Sequence, residues 1–371
     1  MIHFFVNQAG SHGIQGYLAD RGAALAGTVV PTEYEELSSL KKIRSCGAIF
    51  AATDQLGPAE QSAAEEVYTL LAARGNRVLN EPAGVLNRYA LLKLLHDQRV
   101  NRFRAVRATE RFDDLTYPVF VREEHRHTGT VSPLLADAFA VERALATLAL
   151  QGRPRDQLLV VEFCDTRGPD GLYRKYSAFR VDGRILPRHV HVSARWVSKS
   201  GTSLVNPDTI REEARYFDGN PHEAWLRHIF ELARIEYGRI DYGVANGDLQ
   251  VWEINTNPTL GRNASRAPRP ESAAYRPLTE PIRLQFHTAF QKAILELNAP
   301  LACPDLPVVL TADVLRRIAA ERKLRRRRLR RKEFARKVLA LTAVQRMRGI
   351  LDPVAVAVTG HLARRRLSRP E

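Results

Sequence analysis

The chain has 371 residues, of which 44% are hydrophobic and 26% are charged, so it is long enough for two or three packed domains. Its formal net charge of +15 suggests a nucleic-acid-binding protein until the charges are located. From Thr311 to the C-terminus the chain carries 19 Lys and Arg against 5 Asp and Glu, which accounts for +14 of the total. Residues 1–310 are therefore almost neutral, and the basic character belongs to the tail.

The three cysteines, Cys46, Cys164 and Cys303, are widely spaced and form no C-x-x-C pair. This spacing argues against a disulfide framework and against a zinc site. The first ten residues lack the basic start of a signal peptide, and no apolar run approaches the roughly 18 residues that a membrane-spanning helix needs. We therefore expect a cytoplasmic protein that is soluble or at most peripheral at the inner membrane surface.

Short apolar runs alternate with helical patterns over the first 82 residues. Strands are predicted at Ile2–Val6, Thr28–Val30, Gly47–Ala52 and Val78–Leu79, and helices at Ile14–Arg21 and Pro58–Arg74. This alternation indicates a small parallel α/β domain. Pro82 ends it, because the residue before a proline is pushed out of the helical region.

The next 220 or so residues predict a mixture of helices and antiparallel hairpins. A helix is predicted over 85–95, then a strand at Tyr117–Arg122, a helix at Ala136–Leu150, a strand at Leu158–Phe163 and a mostly helical segment at Pro207–Tyr237. Two hairpins, 173–192 and 239–254, turn at Asp182-Gly183 and Asn246-Gly247. These dipeptides supply the positive φ angles of tight turns.

The second hairpin carries a cluster of oxygen-bearing side chains. Glu253, Asn255 and Asn257 alternate onto one strand face, and Asp241 can face them from the paired strand. Such hard ligands suit Mg²⁺ and leave positions for nucleotide phosphates. A surface hairpin with scattered polar residues is the alternative, but burying an acid and two amides in apolar strands is costly unless something binds them.

The Arg239-Ile240-Asp241 strand followed by Glu253-Ile254-Asn255-Thr256-Asn257-Pro258 resembles the metal-binding end of the ATP-grasp superfamily, typified by D-alanine ligases, glutathione synthetases and ribosomal-protein glutamate ligases. The resemblance implies ATP and two Mg²⁺ ions, or Mn²⁺, held by Asp241, Glu253 and Asn255. It implies an α/β fold with a pre-ATP-grasp domain at 1–82 and an ATP-grasp domain of two subdomains at 83–300. A basic helical tail at 301–371 lies outside the resemblance.

Other marks of the family follow in the expected order. The basic residues directed at ATP phosphates match Arg88, or as a less favoured alternative Lys93, and Arg122 at the end of a strand. The loop after that strand has one glycine between residues 123 and 130, where the family has a glycine-rich loop. It either closes over the phosphates through side chains or is a solvated turn.

The resemblance also implies a hinge that carries adenine, at Glu162, Phe163, Cys164 and Asp165, although such a run taken alone is an ordinary buried strand. Further residues are candidates for contacting phosphate or substrate. They are Lys175 in preference to Arg174, His189 and His191 on a shared strand face, Asn257, and Arg262 as a clamp for an anionic substrate. The two histidines could equally lie on a half-exposed sheet face.

The implied reaction transfers the γ-phosphoryl group of ATP to a carboxylate, and an amine or another nucleophile then attacks the acyl phosphate. Arg122 and Arg239, together with Mg²⁺, would offset charge on the transferred group. The partners would be a small-molecule or peptide carboxylate and an amine, and a homodimer is compatible with the sequence. A small-molecule kinase and a nucleotide-binding scaffold acting through its tail are the alternatives.

In the tail, apolar residues recur at roughly helical spacing between arginines. They are Leu324, Leu329, Phe334, Val338 and Leu341. This pattern predicts a basic amphipathic helix. Such a helix could bind an anionic membrane surface, RNA or an acidic protein, or it could simply pack its apolar stripe on the body of the protein.

Overall fold

The computed structural model of the chain describes residues 1–127, 129–198, 201–260, 273–298, 303, 305–324 and 326–327. The chain divides into two compact units, Met1–Leu310 and Thr311–Glu371. In the second unit the described part is mainly a helix over residues 312–324. The predicted amphipathic positions Leu329, Phe334, Val338 and Leu341 lie outside the described residues. None of the described helices combines the length and the apolar character that crossing a bilayer would take.

The first unit begins with a parallel sheet, as the sequence predicts. Its strands are β1 (Ile2–Val6), β2 (Val29–Glu33), β4 (Gly47–Phe50) and β5 (Arg77–Leu79), which lie in the order β2-β1-β4-β5. A short strand, β3 (Lys42–Arg44), lies between β2 and β4 in the chain but does not belong to this sheet. Helices α1 (Ser11–Ala19) and α2 (Pro58–Ala72) connect them. Every residue of β1 is buried, because a central parallel strand is covered on both faces.

A three-stranded antiparallel sheet follows. It contains β6 (Ala105–Arg107), β7 (Val119–Glu123) and β8 (Leu158–Glu162) in the order β6-β8-β7, with helices α3 (Arg88–Asp97) and α4 (Ala138–Leu150). Side chains of Asn87 and Asp137 cap the two helices by accepting hydrogen bonds from backbone N–H groups of the first turn. Both helices begin two or three residues later than the sequence pattern suggests.

The third sheet is built from the two predicted hairpins. Its strands are β9 (Tyr173–Val181), β10 (Arg184–Ser193), β11 (Tyr237–Ala245) and β12 (Asp248–Asn255), in the order β10-β9-β11-β12. Helices α5 (Pro207–Asp218), α6 (Glu223–Leu232) and α7 (Arg276–Glu296) accompany it. The turn residues Asn246 and Gly247 have φ of 50° and 87°, which confirms the predicted tight turn.

The first and third sheets share one apolar core. Phe286 and Phe290 of α7 pack with Phe179 and Tyr237 of the hairpin sheet, and the same cluster contains Phe4 of β1. The parallel sheet is therefore fixed to the hairpin sheet through α7. This confirms the predicted α/β fold class, while the division at residues 82 and 300 stays a prediction.

The expectation that the cysteines are unpaired was wrong for two of them. Cys46 and Cys303 form a disulfide, with their Cα atoms 5.4 Å apart, and only Cys164 remains free. The cause is a pairing between β3 and a short β13 (Asp305–Pro307), which sets Asp305 opposite Arg44. Because 257 residues separate the two cysteines, their spacing along the sequence holds no sign of this contact.

Candidate active site

A cavity of about 490 Å³ is lined by residues of the three-stranded sheet and of the hairpin sheet. Many of the predicted site residues contribute to its wall. They are Arg122, Glu162, Phe163, Cys164, Lys175, His189, His191, Arg239, Asp241 and Glu253. Arg122 and Glu253, which are 131 positions apart in the chain, thus meet in one place.

Asp241 and Glu253 lie opposite each other on neighbouring strands, because they are register partners of β11 and β12. Asp241 accepts hydrogen bonds from Ser177 Oγ at 2.5 Å, from Lys175 Nζ at 3.0 Å and from Arg239 Nε at 3.0 Å. Burial alone would raise the pKa of Asp241, but the positive charges of Arg239 and Lys175 outweigh it and lower this pKa. Asp241 is therefore a carboxylate at neutral pH.

Glu253 is held by two guanidinium groups. Its Oε2 accepts from an Nη of Arg88 at 2.5 Å and from an Nη of Arg122 at 2.6 Å. Burial would raise the pKa of Glu253, yet Arg122 and Arg88 outweigh this effect and hold the pKa well below its usual range. Glu253 is thus ionised as well, and the two facing carboxylates are each neutralised by basic side chains.

The carboxylate and amide oxygens of Asp241, Glu253 and Asn255 are of the type that Mg²⁺ prefers as ligands. The contacts to Glu253 fall on Oε2, so Oε1 has no hydrogen-bond partner among the residues that the structure describes. Asn255 is buried two residues further along β12, and its Oδ1 accepts from the backbone N–H of Asn257 at 2.8 Å. In the described part of the chain, no three His, Cys, Asp or Glu side chains form a complete metal cage. A cation here would therefore also need amide and phosphate oxygens.

Arg88, which the resemblance directs at ATP phosphates, is buried and bound to the loop after β7. It is 3% exposed, and one Nη donates to the backbone carbonyls of Glu123, Glu124 and Arg126 at 2.7–2.9 Å. It therefore ties the loop after β7 to Glu253 and does not line the cavity. The alternative, Lys93, is exposed and pairs with Asp97 at 3.0 Å, away from the site.

His127 is a site residue that the sequence reasoning missed. It lies in the loop after β7, and its ring nitrogens are 3.4 Å from Asp54 and 3.5 Å from Glu253. Burial would lower the pKa of His127, but the nearby carboxylates of Asp54 and Glu253 raise it on balance. The one available signal was its position, in the loop that follows the strand of Arg122.

The predicted hinge forms the more apolar end of the cavity. Phe163 packs edge-on against Trp196 at 5.6 Å between ring centroids, and Phe120 lies 5.1 Å from the same ring. The carboxylate of Glu162 accepts hydrogen bonds from the backbone N–H groups of Arg104 at 2.8 Å and of Thr116 at 2.7 Å. These bonds hold the hinge segment in position. Sequence reasoning did not find Trp196, because no motif surrounds it.

Asp165 is not among the residues that line the cavity, and its carboxylate pairs with Arg167 at 2.5 Å. Lys175 donates to Asp241, and its contact with phosphate or substrate stays a prediction. Arg174 also lines the cavity, but it pairs with Glu212 at 2.6 Å and Asp170 at 2.8 Å.

His189 and His191 share a face, and their rings stack with centroids 3.9 Å apart. Burial, followed by the nearby charge of Lys175, lowers the pKa of His191 to about 3, and burial lowers the pKa of His189 as well. The two imidazoles are therefore neutral. Asn257 does not line the cavity, and its Nδ2 donates to the backbone carbonyl of Gly10 at 3.4 Å. Arg262 lies outside the described residues.

The chain is thus an α/β protein with a cleft that is lined by basic side chains at one end and by apolar side chains at the other. Such a cleft suits a ligand with an anionic part and a flat, weakly polar part. No protein-family model matches the chain, and no curated protein matches it.

Several solved structures are similar to this chain. D-alanine–D-alanine ligase from Bacillus anthracis, complexed with ATP, has 16% sequence identity and a TM-score of 0.41, over 78% of this chain and 98% of that one. A RimK domain protein ATP-grasp from Sphaerobacter thermophilus DSM 20745 gives the same four values. L-amino acid ligase from Bacillus licheniformis has 11% identity and a TM-score of 0.41, over 81% and 74% of the two chains.

Their names are those of ligases or of an ATP-grasp protein. At such identities and TM-scores they do not determine the activity of this chain.

Proposed function

We propose that this protein is an ATP- and Mg²⁺-dependent ligase that joins a carboxylate to an amine through an acyl phosphate and releases ADP and phosphate. The observation that carries the proposal is the pairing of Asp241 with Glu253 across β11 and β12, surrounded by Arg122, Lys175 and Arg239. Two carboxylates that face each other among basic groups can bind divalent cations and phosphates together. The division of the chain at residues 82 and 300 belongs to the same proposal.

Each of these residues has a role that follows from its position. Asp241, Glu253 and Asn255 would hold Mg²⁺, which when bound supplies positive charge to the phosphates of ATP. Arg122 and Arg239 are placed to stabilise negative charge on a transferred phosphoryl group, and Lys175 is placed to neutralise the same region. Phe163 and Trp196 would hold the base in the apolar part of the cavity.

Such a reaction needs no covalent nucleophile from the protein. Cys164 is the thiol in the cavity wall, and burial raises its pKa, so it stays protonated at neutral pH. The histidines His189 and His191 are neutral, and the Nε2 of His189 is engaged with Ser177 Oγ at 2.9 Å. Positioning and electrostatic stabilisation would therefore account for catalysis.

The test is a screen for ADP release with ATP and Mg²⁺ over small carboxylic acids and amines, singly and in pairs. We expect release to require both an acid and an amine. Release that depends on a sugar or an alcohol alone would overturn the ligase in favour of the kinase. Binding of ATP without any stimulated release would favour the scaffold.

Glu253→Gln provides the first variant for that screen. We expect it to lower turnover by at least about 100-fold, because it removes a metal ligand and leaves two guanidinium groups without their carboxylate. Asp248→Asn is the matched control, since Asp248 lies on the same strand but at the exposed turn, where it pairs with Arg102. Equal activity of the two variants would contradict the assigned role of Glu253.

A further inference from the structure

A row of four polar side chains crosses the hairpin sheet from one edge to the other. His189 of β10 is the register partner of Ser177 of β9. Ser177 is in turn the partner of Asp241 of β11, which pairs with Glu253 of β12. Since register partners on neighbouring strands lie on the same face of a sheet, this polar row connects the predicted metal site with the edge strand β10.

Hydrogen bonds within the polar row fix the tautomer of His189. Ser177 Oγ lies 2.5 Å from Asp241 Oδ1 and 2.9 Å from His189 Nε2. Because an ionised carboxylate only accepts hydrogen bonds, Ser177 donates its single hydroxyl proton to Asp241. The hydroxyl therefore accepts from His189, whose neutral ring carries its hydrogen on Nε2 and its lone pair on Nδ1.

The lone pair on His189 Nδ1 is available to a ligand. His189 is partly exposed and lines the cavity, and no described residue donates to its Nδ1. The ring of His191 stacks on it with centroids 3.9 Å apart, which keeps the imidazole in one orientation. Burial, followed by the electrostatic effects of His191 and Lys175, holds the pKa of His189 well below its usual range, so the ring stays an acceptor at neutral pH.

The charges at this end of the cavity select the protonation state of a ligand. Lys175 and Arg239 both act against a proton on His189. Asp241 acts in the opposite direction on the neighbouring His191, yet the pKa of that ring is lowered as well. An ammonium ion beside Nδ1 would meet the same repulsion, whereas a neutral amine donates an N–H without adding charge. This end of the cavity therefore fits an amine in the form that can attack a carbonyl carbon.

We propose that His189 is a catalytic residue that accepts a hydrogen bond from the neutral acceptor amine and then takes its proton. The proposal rests on the proposed function, and it adds a proton acceptor to the groups that position the substrates there. The acceptor end of the reaction then lies at the β10 end of the polar row.

The proposed step needs no further reactant. The amine nitrogen attacks the carbonyl carbon of the acyl phosphate, a C–N bond forms, and the C–O bond to phosphate breaks with its electron pair on the phosphate. The nitrogen becomes strongly acidic once it is bound to the carbon, so even a weakly basic imidazole takes its proton at Nδ1. His189 then passes the proton to the departing phosphate. While the ring is charged, its Nε2–H donates to Ser177 and Ser177 donates to Asp241, which stabilises the imidazolium.

The spacing of the strands keeps the amine apart from the metal ligands. Two strand spacings of about 4.8 Å separate β10 from β11, which places the backbones of His189 and Asp241 roughly 10 Å apart. A nucleophile at His189 Nδ1 therefore lies beside the phosphates and not among the ligands of a cation at Asp241 and Glu253. His189 can bind the amine while ATP and Mg²⁺ occupy the other end of the row.

The first test separates formation of the acyl phosphate from the attack of the amine. Hydroxylamine traps acyl phosphates as hydroxamates without a catalyst, so it reports the first half of the reaction alone. With ATP, Mg²⁺ and the acid found by the screen, we expect His189→Gln to form hydroxamate within about threefold of the wild-type rate. Amide formation with the amine should fall about 100-fold in kcat, because glutamine accepts a hydrogen bond but takes no proton.

His228→Gln is the matched control, because His228 is an exposed histidine of α6 that does not line the cavity. It should leave both rates within about twofold of the wild type. Equal losses of hydroxamate and amide in His189→Gln would indicate a structural role, and an unchanged amide rate would exclude a role in proton transfer; either result would overturn the proposal. A wild type that forms no hydroxamate with any acid would instead contradict the proposed ligase itself.

Nitrogen NMR of the imidazole tests the tautomer without turnover. In protein that contains isotope-labelled histidine, long-range proton–nitrogen correlations distinguish the two neutral tautomers from the charged ring, and the spectrum of His189→Gln assigns the signal of His189. We expect the neutral ring with its hydrogen on Nε2 at neutral pH. A hydrogen on Nδ1, or a charged ring, would overturn the proposal whether or not the protein is a ligase.

Discussion

Charged side chains in the cavity hold one another in place before any ligand binds. Glu253 joins Arg88 to Arg122, and Asp241 joins Lys175 to Arg239. Burying a single charge is costly, whereas a buried charge with several hydrogen-bond partners is tolerated. The cavity therefore presents an organised set of charges, and a phosphate or a metal ion would exchange existing partners for new ones.

His287 of α7 offers a test of these electrostatics through stability. Burial, followed by the charges of Arg188 and Arg21, lowers its pKa to about 4 from an ordinary value of 6.5. Between pH 6.5 and pH 4 the unfolded chain binds a proton at His287 and the folded chain does not. The contribution of His287 to the free energy of unfolding is therefore fully present above pH 6.5 and is lost as the pH falls towards 4. We expect the free energy of unfolding to fall by up to about 1.4 kcal/mol per pH unit through this group.

The measurement is urea unfolding of the wild type and of His287→Gln at pH 7, 6 and 5. The difference in slope between the two proteins isolates His287 from the other titrating groups. The variant should be less sensitive to acid over this range. Parallel curves would mean that the surroundings of His287 do not lower its pKa.

Strand β4 and helix α7 approach each other so closely that Gly47 has no room for a side chain. A Cβ on Gly47 would lie 2.6 Å from the backbone carbonyl oxygen of Leu297 and 3.3 Å from that of Arg77. Since backbone atoms cannot swing away as a side chain does, Gly47→Ala should force the strand and the helix apart. We expect a loss of about 1–3 kcal/mol in the free energy of unfolding, measured with denaturant.

Gly16→Ala is the matched control for this substitution. Gly16 lies in α1, and a Cβ there would meet no atom within 4 Å. Alanine is the better helix former, so this variant should be more stable than the wild type by up to about 1 kcal/mol. A Gly47→Ala protein as stable as the control would show that β4 and α7 can separate without cost.

The first unit is closed by a covalent link between distant parts of the chain. The Cys46–Cys303 disulfide joins the start of β4 to the segment before β13, and Lys42 and Asp305 pair nearby at 2.7 Å. A cross-link over 257 residues restricts the unfolded chain strongly. Replacing both cysteines by serine should therefore lower the free energy of unfolding by about 2–4 kcal/mol.

Thermal unfolding with and without dithiothreitol checks this prediction. The reductant should lower the Tm of the wild type to that of the double variant and leave the variant unchanged. Cys164→Ser serves as the control for a thiol outside the disulfide, and its Tm should still respond to the reductant. A wild-type Tm that does not respond would mean that the disulfide adds no stability.

Local patterns of the sequence were enough for most of the strands, for the Asn246-Gly247 turn and for the placement of Asp241 opposite Glu253. The two-residue period of β11 and β12, with the Asn246-Gly247 turn between them, sets Asp241 opposite Glu253, and the structure has this register. The stacked pair His189 and His191 follows from the same period. These predictions succeeded because they depend on neighbours within one hairpin.

The remaining features depend on which distant segments pack together, and short-range periodicity holds no information about that. Arg88 is buried because it binds the loop after β7, and Trp196 joins the hinge from a segment without a motif. The Cys46–Cys303 bond requires a strand pairing across the whole unit. A β-bulge at Arg188, between the Pro187–Ala178 and His189–Ser177 pairs, shifts the alternation of β10 by one residue, and only the register with β9 reveals it.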